Sequence, residues 1–467
     1  MVPFLARPSL AGSRPSRRDW LRIGVPAAVG ALLPGFSSAR AASAARAKSV
    51  IVVFTSGGQS QFETWDPKPS APVEVRGAFG SRQTAIPGVR ICEHLPRLAR
   101  LAGRYTIVRS MTHDDLDHGS ACYLALTGQL HPIKSSNPSP RSTDSPALGA
   151  VLQRVRPSDR FPHAAFHING PLLAPKEPAP GQYGGFLGQG YDPLQLGDVT
   201  HDTSLLNGMT VRPGLSPRRL ATRRVLLDQL DRSSPFANAR LSAHQDHMRK
   251  AYDLIDSPRV RAAFDLRKES AQARERYGRY RGGQACLLAR RLVEAGVPWI
   301  TVFFNHNIRG QDDHPDVADE YGWDTHNDIF TSMREHLLPR FDHSFSALLE
   351  DLEARGLLQD TLVVCMGEFG RAPLVAVERN FKGGSPGRKH WAQCYSVVLA
   401  GAGIRRGVVH GASDRHGAYP QSSPVTPGDL SATLFHALGI PADTHFTDLT
   451  NRPHRVASGD PVAVLFG

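Results

Sequence analysis

Short apolar runs without polar alternation recur along the chain, beginning with the residues SVIVVF at 49–54. Such runs are typical of strands that are buried on both faces of a parallel sheet. We predict strands at 49–54, 106–108, 299–304, 361–366 and 395–399. Helical patterns lie between or after them, at 94–103, 119–127, 284–295, 327–355 and 429–438. This alternation predicts an α/β fold with a mostly parallel central sheet flanked by helices.

Three stretches interrupt the alternation. Residues 131–146 and 170–215 are dense in Gly and Pro, and we expect long surface loops that frame a cleft. Residues 216–282 contain Arg-rich helices, for which a solvated face is favoured over a polyanion site. The chain is long enough for two or three small domains or one large one. We predict a single domain over 48–467, with loop and helical insertions at about 131–282.

Composition narrows the class of protein. With 467 residues, 40% hydrophobic and 21% charged, and a mean hydropathy of -0.29, the chain is ordinary for a soluble globular protein. No apolar run approaches the ~20 residues of a membrane-spanning helix, so we expect no span in the mature chain. The net charge of +12 is concentrated in residues 1–47, which hold seven arginines against one acid. The remaining excess of +6 is mild, and we expect no nucleic-acid partner.

The basic N-terminal segment has the pattern of an export signal. Arg17 and Arg18 are followed by Asp, Trp and Leu, which resembles the twin-arginine signature. A weakly apolar stretch at 23–36 and small-residue sites follow, as in a signal peptide. The alternative is a basic disordered arm. We predict a signal over 1–47, a twin-arginine export machinery as partner, and a periplasmic or extracellular location.

Histidines and carboxylates gather directly after four predicted strands. Ligands of parallel α/β sheets bind beyond the carboxyl ends of the strands, so these side chains are expected at one rim. Imidazole with carboxylate is the ligand set of a divalent metal, with zinc or manganese favoured and calcium a third candidate. The predicted ligands are Asp324, His326, Glu368 and His390. The alternatives are that Glu368 pairs with Arg371 and that His390 stacks on its neighbour Trp391.

His118 enters the predicted helix whose first N–H groups face the same rim. An anion could rest there against the helix dipole, with His118 as metal ligand, general acid or nucleophile, or simply as a polar cap. We predict a catalytic role for His118 and a second anion contact from Arg371. A further site is considered from other polar residues near these strand ends, which are Gln61, Glu63, His113 and Asp117.

Several long motifs occur in one order: GGxSxxxTxDPK at 57–68, IPGVRICEHLPRLARLA at 86–102, CLLARRLVEAGV at 286–297, GWDTH at 322–326, LLEDLEARGLLQDTLVVCMGEFGR at 348–371 and PVTPGDLSATLFHALGI at 424–440. On these the chain resembles an uncharacterised exported family, catalogued as a domain of unknown function and often described as sulfatase-like, of the alkaline phosphatase and sulfatase superfamily. The resemblance runs from about residue 49 to the C-terminus. It implies an alkaline phosphatase-like fold and metal-dependent hydrolysis of phosphate or sulfate esters.

The chain departs from the superfamily at positions that matter for mechanism. Counting back from Leu126-Thr127-Gly128 places His118 where sulfatases have a Cys or Ser, so formylglycine chemistry is excluded there. Residues 56–58 replace the Asp pair of sulfatases, and Glu368 begins the segment that replaces the Asp-His of phosphatases. We therefore expect one metal, and an anionic ester as substrate. The alternative function is a non-catalytic relative that binds a polyanion such as a sulfated glycan, or acts in envelope organisation.

Overall fold

The central element of the molecule is a mixed sheet. A computed structural model describes residues 46–135, 138–158, 161, 163–200, 217–233 and 258–467. Arg17 and Arg18, and all of the predicted signal except residues 46 and 47, lie outside these residues. In the described part, the sheet contains β1 (Ser49–Phe54), β2 (Thr106–Met111), β3 (Ala165–Ile168), β4 (Leu194–Leu196), β5 (Trp299–Phe303), β6 (Thr361–Met366), β7 (Tyr395–Ala400) and β8 (Val408–His410). Their order is β8-β2-β7-β6-β1-β5-β3-β4.

Strand directions confirm a mostly parallel sheet with one reversal. β1 pairs in parallel with β5 and β6, β3 pairs in parallel with β5 and β4, and β8 with β2. β7 runs antiparallel to both its neighbours, β2 and β6. Because β6 and β7 are joined by residues 367–394 without a crossover helix, the chain returns in the opposite direction. The start of β7 therefore lies at the same sheet edge as the end of β6.

The described residues form helices as well as the sheet. They are α1 (Val73–Arg76), α2 (Pro96–Leu101), α3 (His118–Thr127), α4 (Leu148–Val155), α5 (Pro217–Ser233), α6 (Pro258–Phe264), α7 (Ala271–Tyr277), α8 (Arg281–Ala295), α9 (Ile329–Ser332), α10 (Leu338–Ala354) and α11 (Pro427–Ala437). The predicted single helix at 327–355 is interrupted by a π-helical turn, Met333–Leu337, just before Pro339. A proline inside a helix lacks a donor and clashes with the preceding turn, which accounts for the change in winding.

The buried strand β1 divides the hydrophobic core into two layers. Ile51 and Val53 contribute to one buried cluster with α8 and α10, whereas Val50, Val52 and Phe54 contribute to the other with α3 and α11. All six residues of β1 are buried, as the unbroken apolar run predicted. No helix among the described residues is both long enough and apolar enough to cross a membrane.

Candidate metal centre

Four chain segments bring the predicted site residues to the carboxyl edge of the sheet. His118 is the first residue of α3, which follows β2, and Glu368 follows β6. Asp324 and His326 lie in the loop after β5. His390 lies in the short strand His390–Trp391, which pairs antiparallel with Gly370–Arg371. Because β7 runs in the opposite direction, the segment before its start reaches this edge of the sheet and contributes His390 as a ligand candidate.

Three imidazoles converge on one carboxylate oxygen. The Nε2 atoms of His118, His326 and His390 lie 3.2, 3.0 and 3.1 Å from Oδ1 of Asp324. The Nε2 atoms of His326 and His390 are only 2.8 Å apart. His390 is the most accessible of the four, with 18% of its side chain exposed against 5% for each of the others. The cluster is therefore nearly closed and opens on the side of His390.

The outer nitrogen of each imidazole has an oxygen partner. Nδ1 of His118 lies 2.7 Å from Oε1 of Glu368, and Nδ1 of His326 lies 2.9 Å from Oε2 of Glu378. Nδ1 of His390 lies 2.6 Å from the carbonyl oxygen of Leu116. The Leu116 carbonyl accepts the Nδ1 proton of His390 and leaves a lone pair on its Nε2, while the carboxylates of Glu368 and Glu378 favour protons on Nδ1 of His118 and His326. Nε2 of His326, 2.8 Å from Nε2 of His390, must then either carry a proton or share a cation with it.

The electrostatics of the cluster follow from burial and from Asp324. Burial opposes the charge of His118, but Asp324 and Glu368 outweigh it and raise its pKa to about 9. Burial, together with the charge of His118, lowers the pKa of His390 to about 3. Burial also opposes the charge of Asp324, yet His118 and Arg371 hold its pKa well below its usual value. Without a metal ion, the cluster holds its positive charge on His118.

The donor set fits a divalent metal of the zinc type. One atom each from His118, Asp324 and His390 lies within 4.8 Å of the others, and Nε2 of His326 is within reach of the last two. Bonds of about 2.0–2.1 Å to zinc place tetrahedral ligands roughly 3.3 Å apart, close to the separations seen here. A partner on the second nitrogen of each histidine is typical of metal-binding histidines. Glu368, predicted as a ligand, lies behind His118 and orients that ring.

Arg371 differs from its predicted role as an anion contact. Its side chain is fully buried and donates to Oδ1 of Asp324 at 2.6 Å, to the carbonyl of Gly58 at 3.0 Å and to the carbonyl of Arg388 at 3.2 Å. It also donates to the carbonyl of Gly57. The guanidinium therefore bonds groups of the protein itself. Its carboxylate partner is Asp324 and not Glu368, which was the predicted alternative.

The residues considered for a further site do not converge on the cluster, and the structure gives each of them other partners. Gln61 bonds both the N–H and the carbonyl of Arg371, each at 2.9 Å, and Glu63 forms a buried ion pair with Arg388 at 2.7 Å. Nε2 of His113 bonds the carbonyl of Glu368 at 2.7 Å. Asp117 precedes α3, and its N–H donates to Asp115 at 3.1 Å.

Two features near the cluster bear on the anion site that was predicted at the start of α3. The N–H of Ser120 in the first turn of α3 donates to the carbonyl of Ser135 at 3.1 Å, so this donor is already in use. Gly57, within the segment that replaces the Asp pair of sulfatases, donates its N–H to Oε1 of Glu368 at 2.9 Å. Its φ is +108°, and a Cβ there would lie 2.5 Å from the amide nitrogen of Asp324. Only glycine allows this close approach.

Glu378 and the Leu116 carbonyl are site groups that the sequence did not reveal. A carbonyl has no sequence signal. Glu378 lies between β6 and β7, away from any strand end, within a segment that only the fold brings to His326.

One protein family accounts for almost the whole chain. A family model described as "Protein of unknown function (DUF1501)" matches residues 47–466. The chain belongs to this family. The predicted membership in a family of unknown function is therefore confirmed. No curated protein matches the chain.

Among solved structures, this DUF1501 protein is similar to a sulfatase, a phosphonate monoester hydrolase and an alkaline phosphatase. A sulfatase from Pseudoalteromonas sp. is 13% identical, with 97% of this chain and 76% of that chain covered and a TM-score of 0.39. A phosphonate monoester hydrolase from Silicibacter pomeroyi is 12% identical, with 86% and 76% covered and a TM-score of 0.36. The alkaline phosphatase of the Antarctic bacterium TAB5 is 11% identical, with 80% and 96% covered and a TM-score of 0.34.

Proposed function

We propose that this protein is an exported, metal-dependent hydrolase of phosphate or sulfate esters. The observation that supports a metal is the convergence of three Nε2 atoms on Oδ1 of Asp324, each on a ring whose Nδ1 has an oxygen partner. Two of these nitrogens lie 2.8 Å apart, a separation that a shared cation accommodates. The proposed ligands are His118, Asp324, His326 and His390, with zinc favoured over manganese and calcium because three of the four donors are imidazoles.

Each residue has a separate task in the proposed reaction. A divalent ion at this site would polarise an ester oxygen and lower the pKa of a bound water. His118 acts as a ligand in this proposal, and Glu368 keeps its Nε2 directed inward. Arg371 offsets part of the negative charge of Asp324. An anionic ester would approach on the side of His390, the most exposed member of the cluster.

Elemental analysis of protein purified without chelator tests the metal. We expect about one divalent ion per chain, lost in Asp324→Ala and in His390→Ala and retained in His445→Ala, which changes an exposed histidine of the ribbon at 445–455. An absence of metal in the wild type, with unchanged stability on adding zinc, manganese or calcium, would refute the proposal.

A screen of aryl phosphates and aryl sulfates with each added metal tests the chemistry. His118→Ala is expected to lose activity and metal together, because the proposal makes this residue a ligand. Activity that survives in this variant removes His118 from the mechanism. If the metal-loaded wild type hydrolyses none of the esters, the alternative of a polyanion-binding protein is favoured. The number of protein donors fits that alternative. Four donors would complete the coordination sphere of zinc, as in a structural zinc site.

Export through a twin-arginine signal at 1–47, ahead of a single domain at 48–467, is part of the proposal. Replacement of both arginines, Arg17→Lys with Arg18→Lys, should leave unprocessed precursor in the cytoplasm. Cell fractionation and immunoblotting measure its location and size. Unchanged processing and location would contradict the signal.

A further inference from the structure

The side chain of His326 is held by a segment that the sequence left unassigned. This segment, residues 376–389, is called the strap. Oε2 of Glu378 in the strap lies 2.9 Å from Nδ1 of His326, while Nε2 of the same ring faces Asp324 at 3.0 Å. The Glu378 carboxylate accepts the Nδ1 proton, so the ring can offer its Nε2 lone pair to a metal ion.

The backbone of Glu378 is fixed by the residue that follows His326. Oδ1 of Asn327 accepts the N–H of Glu378 at 2.8 Å, and Nδ2 of Asn327 donates to the Glu378 carbonyl at 2.8 Å. Nδ2 also donates to the carbonyl of Phe381 at 3.0 Å. Asn327 is buried, and its one amide therefore satisfies both backbone groups of Glu378. The side chain that orients His326 is thus anchored by its neighbour in sequence.

The plane of the His326 ring is fixed by a second contact from the strap. The ring of Phe381 stacks on it with centroids 3.7 Å apart and an angle of 5°. The guanidinium of Arg309 lies 5.0 Å from the centroid of Phe381. Stacking sets the plane of the imidazole, and Glu378 sets which nitrogen points inward. Both constraints come from the strap.

We propose that Glu378 is the positioning residue of His326 and that Asn327 holds Glu378 in place. Without the Glu378 carboxylate, Asp324 and His390 favour a proton on Nε2, where it would occupy the space in which the ligands converge. Lys389, which is exposed, pairs with Oε1 of Glu378 at 3.1 Å. The inference rests on the proposed function only where zinc is used as a probe.

The tautomer of His326 in the metal-free, full-length protein is the direct test. Long-range 1H–15N spectra of histidine-labelled protein, assigned with His326→Asn, should show a proton on Nδ1 of His326 in the wild type. Glu378→Ala and Asn327→Ala should shift His326 toward the form that is protonated on Nε2 alone, whereas Glu378→Gln retains an acceptor oxygen and should keep the proton on Nδ1. Glu350→Ala, at an exposed ion pair with Arg276, is the matched control and should change nothing.

Release of Zn²⁺ to a chromogenic chelator gives a second readout. Loss of an outer partner of a metal-binding histidine typically costs about 10–100-fold in metal affinity, and we expect this for Glu378→Ala, with a smaller effect for Glu378→Gln. An unchanged tautomer in folded Glu378→Ala overturns the inference. If that variant does not fold, a His326 protonated on Nε2 alone in Glu378→Gln overturns it. If the wild type binds no zinc, the proposed function fails, and the tautomer still decides the role of Glu378.

Discussion

At the scale of single residues, Arg371 illustrates what a buried charge costs when its partner is removed. Its guanidinium is the cation closest to Asp324, and its other donors satisfy backbone carbonyls. Arg371→Ala should therefore lower the free energy of unfolding by about 3–5 kcal/mol, measured by urea denaturation. Arg334→Ala, at an exposed ion pair, should change it by less than about 1 kcal/mol. A similar small loss in both variants would contradict the structural role of Arg371.

A second prediction concerns His167, a buried residue of β3. Burial lowers its pKa to about 3, against 6.5 in the unfolded chain. Between these values the unfolded state binds a proton that the folded state does not, so stability falls as the pH falls. From pH 7.5 to 5.0 the wild type should lose about 2 kcal/mol more than His167→Gln, by urea denaturation at both pH values. Equal losses would show that His167 is protonated in the folded protein.

Residue types at strand ends were sufficient to select Asp324, His326 and His390 from the sequence. Parallel strands place their carboxyl ends at one edge, where ligands of α/β sheets bind, so imidazole and carboxylate groups that follow such strands indicate a site. The partners of Arg371 could not be selected, because its burial depends on a loop that is remote in sequence. The sequence indicated Glu368 as a site residue. Its position behind His118 could not be predicted, because it depends on the direction in which each side chain points.

At the scale of elements, the start of α11 is capped by two residues that are close in sequence. Thr426 accepts the N–H of Asp429 at 3.1 Å, and Asp429 accepts the N–H of Thr426 at 3.0 Å, which forms a capping box. Thr426→Ala should cost about 1 kcal/mol of stability, whereas Thr426→Ser should cost a few tenths. Thermal or urea unfolding of the two variants makes the comparison. Equal losses would assign the effect to packing of the lost methyl group.

The direction of β7 does not follow from the residue pattern of the strand itself. A strand buried on both faces has an unbroken apolar run whether it is parallel or antiparallel, and 395–399 showed only the run. The missing helix between β6 and β7 was the available sign of a reversal. β3 and β4 were missed because they are only 4 and 3 residues long, and β4 lies within a stretch that Gly and Pro marked as loop.

At the scale of the whole molecule, the proposed ion would join the segments that follow β2 and β5 to the one that precedes β7. A ligand that binds only the folded state stabilises it, by about 2.7 kcal/mol at 100 times its Kd. Zinc at this excess should raise the midpoint of thermal unfolding of metal-free protein, and it should have no effect on Asp324→Asn. Magnesium, which prefers oxygen ligands, should give little protection. Equal stabilisation by zinc in the wild type and in Asp324→Asn would place the bound ion elsewhere.

The position of β1 in the middle of the sheet has a consequence during protein synthesis. Its partners β5 and β6 lie roughly 250 and 310 residues later in the chain, so the sheet has a high contact order. At about 5–20 residues per second, a ribosome needs roughly 12–50 s to reach β5 after completing β1. Throughout that interval this wholly buried strand of the native sheet has neither neighbour. We therefore expect β1 to be the segment that chaperones cover during translation.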